Sequence, residues 1–166
     1  MKRVVSLLIV IACMSFASAW SQVDTMMAEP IIKANYYNNT ELELANVFGF
    51  AHVTPKVKKN STSFYIQYSH AHHKGIADDE RTELWYFMIP AKPKKSFSIT
   101  GDQIKANKVV YCKLCYCIDA GCKPAQADWV ISGKKKGKKW NIKITSPENT
   151  NYTFTATPDS FENFPK

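Results

Sequence analysis

The 166-residue sequence lacks the patterns that would assign it an activity or a membrane span. No apolar run approaches the ~20 residues that cross a bilayer as a helix, so no transmembrane segment is expected. No segment sustains an apolar period of 3.6 residues, which argues against a helical fold. There is no internal repeat, no low-complexity tract and no composition break that would mark a second domain. A nucleophile elbow, a zincin helix, a phosphate loop and a spaced carboxylate pair are all missing. Their absence points away from an enzyme, although catalytic residues on a β fold can meet in space alone. Acidic residues are also few: 14 against 22 basic ones, for a formal net charge of +8.

The N-terminus has the three parts of an export signal. Lys2 and Arg3 give the positive start, Val4 to Ala12 is apolar except for Ser6, and Ala17-Ser18-Ala19 is a small-x-small cleavage site. The expected mature protein is secreted, periplasmic or held at the cell surface. Val10-Ile11-Ala12-Cys13 also resembles a bacterial lipobox, which makes a lipid anchor on Cys13 the second processing route. Cleavage after Ala19 leaves 147 of the 166 residues, enough for one domain with its own core. Lys2 and Arg3 leave with the signal, so the remainder carries +6. That balance suits ordinary solubility and weakly favours anionic partners.

Residues 20–30 read as a lead-in, 31–157 as a β domain and 158–166 as a fraying tail. Period-2 alternation recurs along the domain. Phe64, Ile66 and Tyr68 alternate with Tyr65, Gln67 and Ser69. Trp140, Ile142 and Ile144 alternate with Lys139, Asn141 and Lys143, and Tyr152, Phe154 and Ala156 with Thr153, Thr155 and Thr157. Asn38-Asn39, Thr54 to Asn60 and Gly133 to Gly137 read as turns. Lys108 to Ile118 reads as one long strand. Leu84 to Ile89 is apolar on both faces, as in a central strand covered on two sides or one that meets a partner. Eight or nine short strands with turns between them predict an antiparallel β-sandwich of immunoglobulin-like or related kind. A closed or partly open barrel is the second choice.

Three clusters could carry chemistry. Cys112, Cys115, Cys117 and Cys122 are expected to form disulfides in an exported chain, with zinc binding and free thiols as alternatives. Extended alternation puts Cys112, Leu114, Tyr116 and Ile118 on the inward face with Val110, and leaves Cys122 to pair with Cys115 or Cys117. His70, His72 and His73 share a loop with Asp78, Asp79 and Glu80 and offer imidazole and carboxylate ligands for zinc or copper. Lys134, Lys135, Lys136, Lys138 and Lys139 could meet a polyanion, or stand as solvated charges that keep sheet edges apart. Trp85, Tyr86, Phe87, Tyr65 and Tyr68 would line a cavity in a barrel and fill the core of a sandwich.

The reading that joins these observations is an exported, non-catalytic binding domain without a resident cofactor. Its expected partner is a protein or an anionic glycan, and no specific nucleic-acid binding is expected, because aromatic residues are thin around the lysines. A metal-binding protein using the His70–Glu80 loop or the Cys112–Cys122 hairpin is the first alternative. A small β-barrel for an apolar ligand is the second.

Overall fold

The computed structural model describes residues 27–47, 50–73, 80–91, 95–148 and 150–165. The export segment, Cys13, Asp78 and Asp79 lie outside those residues. The strands are β1 (Met27–Ala28), β2 (Ile31–Val47), β3 (Phe50–Ser69), β4 (His72–His73), β5 (Thr82–Ile89) and β6 (Ser96–Ile99). They continue as β7 (Val110–Leu114), β8 (Gly121–Pro124), β9 (Val130–Lys136), β10 (Lys139–Thr145) and β11 (Asn151–Pro158). One short helix, α1 (Gln103–Ala106), precedes β7, and a 3-10 turn (Phe161–Asn163) follows β11. No helix among the described residues is long and apolar enough to cross a membrane.

Nine strands form one sheet in the order β6-β9-β10-β11-β2-β3-β5-β7-β8, while β1 pairs with β4 apart from it. Neighbours run antiparallel except at the β11–β2 seam, where only Thr157 and Pro158 pair with Asn35 and Tyr36 in parallel. This narrow seam joins two halves that face each other. Phe64 of β3 meets Trp140 of β10 edge-on at 6.1 Å, and Trp85 of β5 meets Phe154 of β11 at 5.6 Å. The predicted alternation of β10 holds: Trp140, Ile142 and Ile144 are buried, and Lys139, Asn141 and Lys143 are exposed. The result is a sandwich-like all-β fold. The sheet is not closed into a barrel, because the terminal strands β6 and β8 do not pair. Trp85 and Phe87 are fully buried, so these rings fill a core and line no lumen.

β5 is apolar on both faces from Leu84 on, while the second face of β3 holds Tyr65 between Ser63 and Gln67, and both faces are covered. Phe64, Ile66, Trp85 and Phe87 lie in the core between the halves. Tyr65 and Met88 point the other way, into a second cluster with Tyr37, Leu42 and Phe164. Leu42 reaches that cluster through a corner in the β2–β3 hairpin. Asn38 pairs with Thr62, but the next pair is Thr40 with Val57. Asn39 (φ 56°) and Asn60 (φ 66°) take the left-handed conformation, which Asn tolerates better than most residues. Ser63 Oγ donates to the Thr40 carbonyl at 2.7 Å and satisfies the backbone inside the bend. Beyond it the hairpin arm lies over the outer face of β3 and β5, and Lys108 Nζ donates to the Leu42 carbonyl.

Several sequence expectations change here, some of them because left-handed backbone bends or starts a strand. Asn38-Asn39 is a bulge rather than a chain reversal, because pairing resumes at Thr40. Thr54 to Val57 belong to β3, and the corner itself takes only the residues that follow. Lys108 has φ 50° and stands outside β7, which ends at Leu114. The basic turn is the two residues Gly137-Lys138, with Gly137 at φ 62°, while Gly133 to Lys136 are strand. The lead-in contributes β1, paired to β4. The tail does not fray: Phe164 is 3% exposed, and its ring lies 4.8 Å from that of Tyr37.

Because Phe164 closes the second core, Phe164→Ala should lower unfolding stability by about 3 kcal/mol despite its place near the C-terminus. Urea denaturation checks this, and a loss under about 1 kcal/mol, as expected of surface sites, would show that the tail holds nothing in place.

Candidate functional site

One carboxylate on β5 gathers side chains from β7, β11 and the segments flanking β3 and β5. Glu83 of β5 is 2% exposed and sits on the inner face, at one end of the space between the halves. Tyr111 of β7 donates its hydroxyl to Glu83 Oε1 at 2.5 Å, and Arg81 Nη2 donates to the same oxygen at 2.6 Å. His70, just past β3, lies with Nε2 3.0 Å from Glu83 Oε2. Tyr152 of β11 adds a fourth hydrogen bond, from the opposite half of the sandwich.

Burial alone would raise the Glu83 pKa. The bonds from Tyr111, Arg81, His70 and Tyr152 outweigh it and hold the carboxyl below its ordinary value. Glu83 is therefore charged at neutral pH and accepts only, so His70 must donate from Nε2. Burial first, and the Glu83 charge second, push the Tyr111 and Tyr152 hydroxyls well above the usual phenol range. A cavity of about 420 Å³ opens beside the cluster and is bordered by Trp129, Ser146 and Thr150. With four donors on two oxygens, the carboxylate has its acceptor capacity taken. Its chemistry is to orient His70 and tie the two halves together.

Of the predicted metal set, His70 is placed by its side chain. His70 is engaged with Glu83. His72 and His73 pair through their backbones with Ala28 and Met27, and their side chains lie outside the description, as do Asp78 and Asp79. The cysteines fall into two pairs at bonding distance. Cys112 and Cys122 face each other across β7 and β8, and Cys115 pairs with Cys117 on the connection between them. Alternation carried past Leu114 misplaces this stretch. The strand ends there, so Leu114, Tyr116 and Ile118 are exposed instead of inward, and Cys122 meets Cys112 instead of Cys115 or Cys117.

The lysine run is also sorted by strand parity. Lys134 and Lys136 of β9 and Lys139 of β10 stand on the outer face, directly beside or opposite one another. Lys143 joins them, a residue absent from the predicted cluster although its alternation with Ile142 and Ile144 gives its direction. Lys135 is on the other face, with Nζ 5.7 Å from the centroid of the Trp140 ring. Lys138 sits in the turn, where its carbonyl accepts the Tyr36 hydroxyl at 2.8 Å.

No protein-family model, curated protein or solved structure matches the chain.

The outer face also forms a groove of about 660 Å³. Ser96, Ser98, Ser132, Lys134, Asn141 and Lys143 line it, above the backbone of Gly133 and Ile142. β6, β9, β10 and β11 together contain five lysines and no Asp or Glu. The groove thus combines ammonium groups with hydroxyl and amide groups that both donate and accept.

Glu83 generates a prediction with a definite sign. Its pKa is lower folded than unfolded, so the stability it contributes is present above the unfolded value. That stability is lost as pH falls through the folded value. Glu83→Gln should cost about 2 kcal/mol at pH 7, because the donors that meet the buried carboxylate lose charge-assisted hydrogen bonds while the half-exposed Arg81 keeps some solvent. The variant should also flatten the acid limb of a stability–pH curve. An acid limb identical to that of the parent chain would remove Glu83 as its source.

Proposed function

We propose that the chain is an exported, non-catalytic binding domain that holds an anionic glycan on the outer face of β6, β9, β10 and β11. The observation that carries this reading is the groove in which lysines and hydroxyls meet without a carboxylate. A sulfated or carboxylated sugar polymer presents repeated negative charges among hydroxyl groups. Lysine ammoniums meet the charges as mobile point charges, while Ser, Thr and Asn groups exchange hydrogen bonds with the sugar hydroxyls.

Placement favours this reading over simple edge protection. Lysines that guard a sheet belong on its edge strand. Here the edge strand is β6, with Lys95 just before it and none within it, whereas Lys139 and Lys143 lie on β10, enclosed by β9 and β11. Lys136 and Lys139 are also direct cross-strand partners. Like charges so placed are destabilising in the free domain, and an anionic ligand would relieve that repulsion.

Heparin serves as the sulfated-glycan probe. Binding is expected at low salt and should weaken steeply between about 50 and 200 mM salt. A variant combining Lys134→Ala, Lys136→Ala, Lys139→Ala and Lys143→Ala should bind at least about tenfold more weakly, a difference near 1.4 kcal/mol, with unfolding stability equal to or above that of the parent. Lys138→Ala, changed in the turn, should have a smaller effect. Undiminished heparin binding by the fourfold variant would sink the proposal. Equal affinity for double-stranded DNA would reduce the face to a general polyanion surface.

A further inference from the structure

The two cysteine pairs differ in setting. Cys112 is fully buried and joins Cys122 inside the β7–β8 ladder. Cys115 and Cys117 lie on the connection, on either side of Tyr116, which is 83% exposed. The chain has left the extended conformation there, so their Cα atoms are 5.4 Å apart, closer than the ~6.5–7 Å of alternate residues in a strand. The two sulfurs and a carboxylate oxygen of Asp119 lie within 4.8 Å of one another. Among the described residues this is the group of three or more Cys, His, Asp and Glu ligands close enough to share one ion. Lys113 Nζ lies 2.7 Å from Asp119 Oδ2.

We propose that Cys115 and Cys117, once their bond is reduced, form with Asp119 a surface binding site for zinc. The Cys115–Cys117 bond closes a loop around a single residue, so opening it releases little chain entropy. The Cys112–Cys122 bond keeps the hairpin closed meanwhile. Reduction by a dithiol transfers two electrons and two protons: the protein gains two thiols, and the dithiol leaves as its own disulfide. Zinc then displaces both thiol protons, takes two thiolates and the Asp119 carboxylate, and keeps one tetrahedral position for water. Three anionic ligands and Zn²⁺ sum to −1, and the Lys113 ammonium beside the site offsets that charge. Asp119 brings no proton to the exchange, because a carboxyl group is already ionised at neutral pH. Disulfide sulfurs offer no thiolate, so the oxidised pair cannot hold the metal. Zinc would in turn keep the pair reduced, since whatever binds one state alone stabilises it. The site lies on β7–β8, at the end of the sheet order opposite β6, and does not depend on the glycan reading.

The test titrates zinc into the full chain before and after reduction by a phosphine, and reads stoichiometry by native mass spectrometry and affinity by chelator competition. The reduced chain should take one zinc at micromolar affinity or better, and the oxidised chain none. Cys115→Ser/Cys117→Ser should lose that zinc while keeping its circular dichroism, because the change is confined to the connection. Asp119→Asn should weaken binding about tenfold and keep the stoichiometry. No zinc on the reduced chain would overturn the proposal. So would zinc retained by the double variant, since Cys112, Cys122 or the histidines would then be its ligands.

Discussion

The structure depends on one constraint: β5 is apolar on both faces from Leu84 to Ile89, with Phe64 and Tyr65 of β3 beside it, and water must be kept from both. Phe64, Trp85 and Phe87 require a cover on one side, and Tyr65 and Met88 require another on the opposite side. A single two-layer sandwich covers only the first set. The second cover is made from the same hairpin, bent at Asn39 and Asn60 so that Leu42 returns over Tyr65. The C-terminal Phe164 completes it. Each large side chain buried in this way contributes about 1.5–3 kcal/mol relative to exposure. The left-handed backbone at two asparagines is a small strain beside that gain. Local sequence, long-range packing and the shape of the arm are therefore one problem with one solution.

The same double cover explains where charge can go. With both faces of the centre occupied, Glu83 enters the interior only because Arg81, His70, Tyr111 and Tyr152 meet it. Charge-assisted hydrogen bonds contribute about 1.5–3 kcal/mol each, enough together to offset several kcal/mol of desolvation. The half of the sheet from β6 to β11 has one free face, and that face carries the outward lysines. The domain thus has a rigid, neutralised interior and a basic outer surface, and the stiffness of the first holds the spacing of the second.

Legibility from sequence followed how local each cause was. Alternation in β10 and β11 could be read directly, because each strand buries one face and shows the other. The double-sided run from Leu84 to Ile89 also announced a covered strand, but not its cover, since Leu42 and Phe164 are far away in the chain. Glu83 gave no local sign at all. Arg81 is two residues away, but the partners at 70, 111 and 152 are brought to Glu83 by strand order. The histidine loop drew attention by composition, yet His70 is turned toward Glu83 by a residue outside that loop. Lys143 was readable from period 2 and missed because charge runs are seen as runs, whereas a sheet sorts them by parity. The cysteines were misplaced for the converse reason: parity was carried beyond Leu114, where the strand had ended.

That ending sets the two cysteine pairs of the hairpin apart. Had β7 continued to Ile118, Cys115 and Cys117 would stand at alternate-residue spacing, too far apart for easy joint use. Because Cys112 and Cys122 fasten the ladder just before it, the connection is free to turn without loosening the sheet. The turn lifts Tyr116 and Ile118 into solvent, a hydrophobic exposure that the core does not need. It also draws two sulfurs and a carboxylate together. A connection made only to reverse the chain needs two to five residues and no cysteine. This one has six, Cys115 to Ala120, two of which are cysteines beyond the pair that staples the strands. The surplus lies in the part of the hairpin least needed for stability, where a side chain is free to be kept for its reactivity.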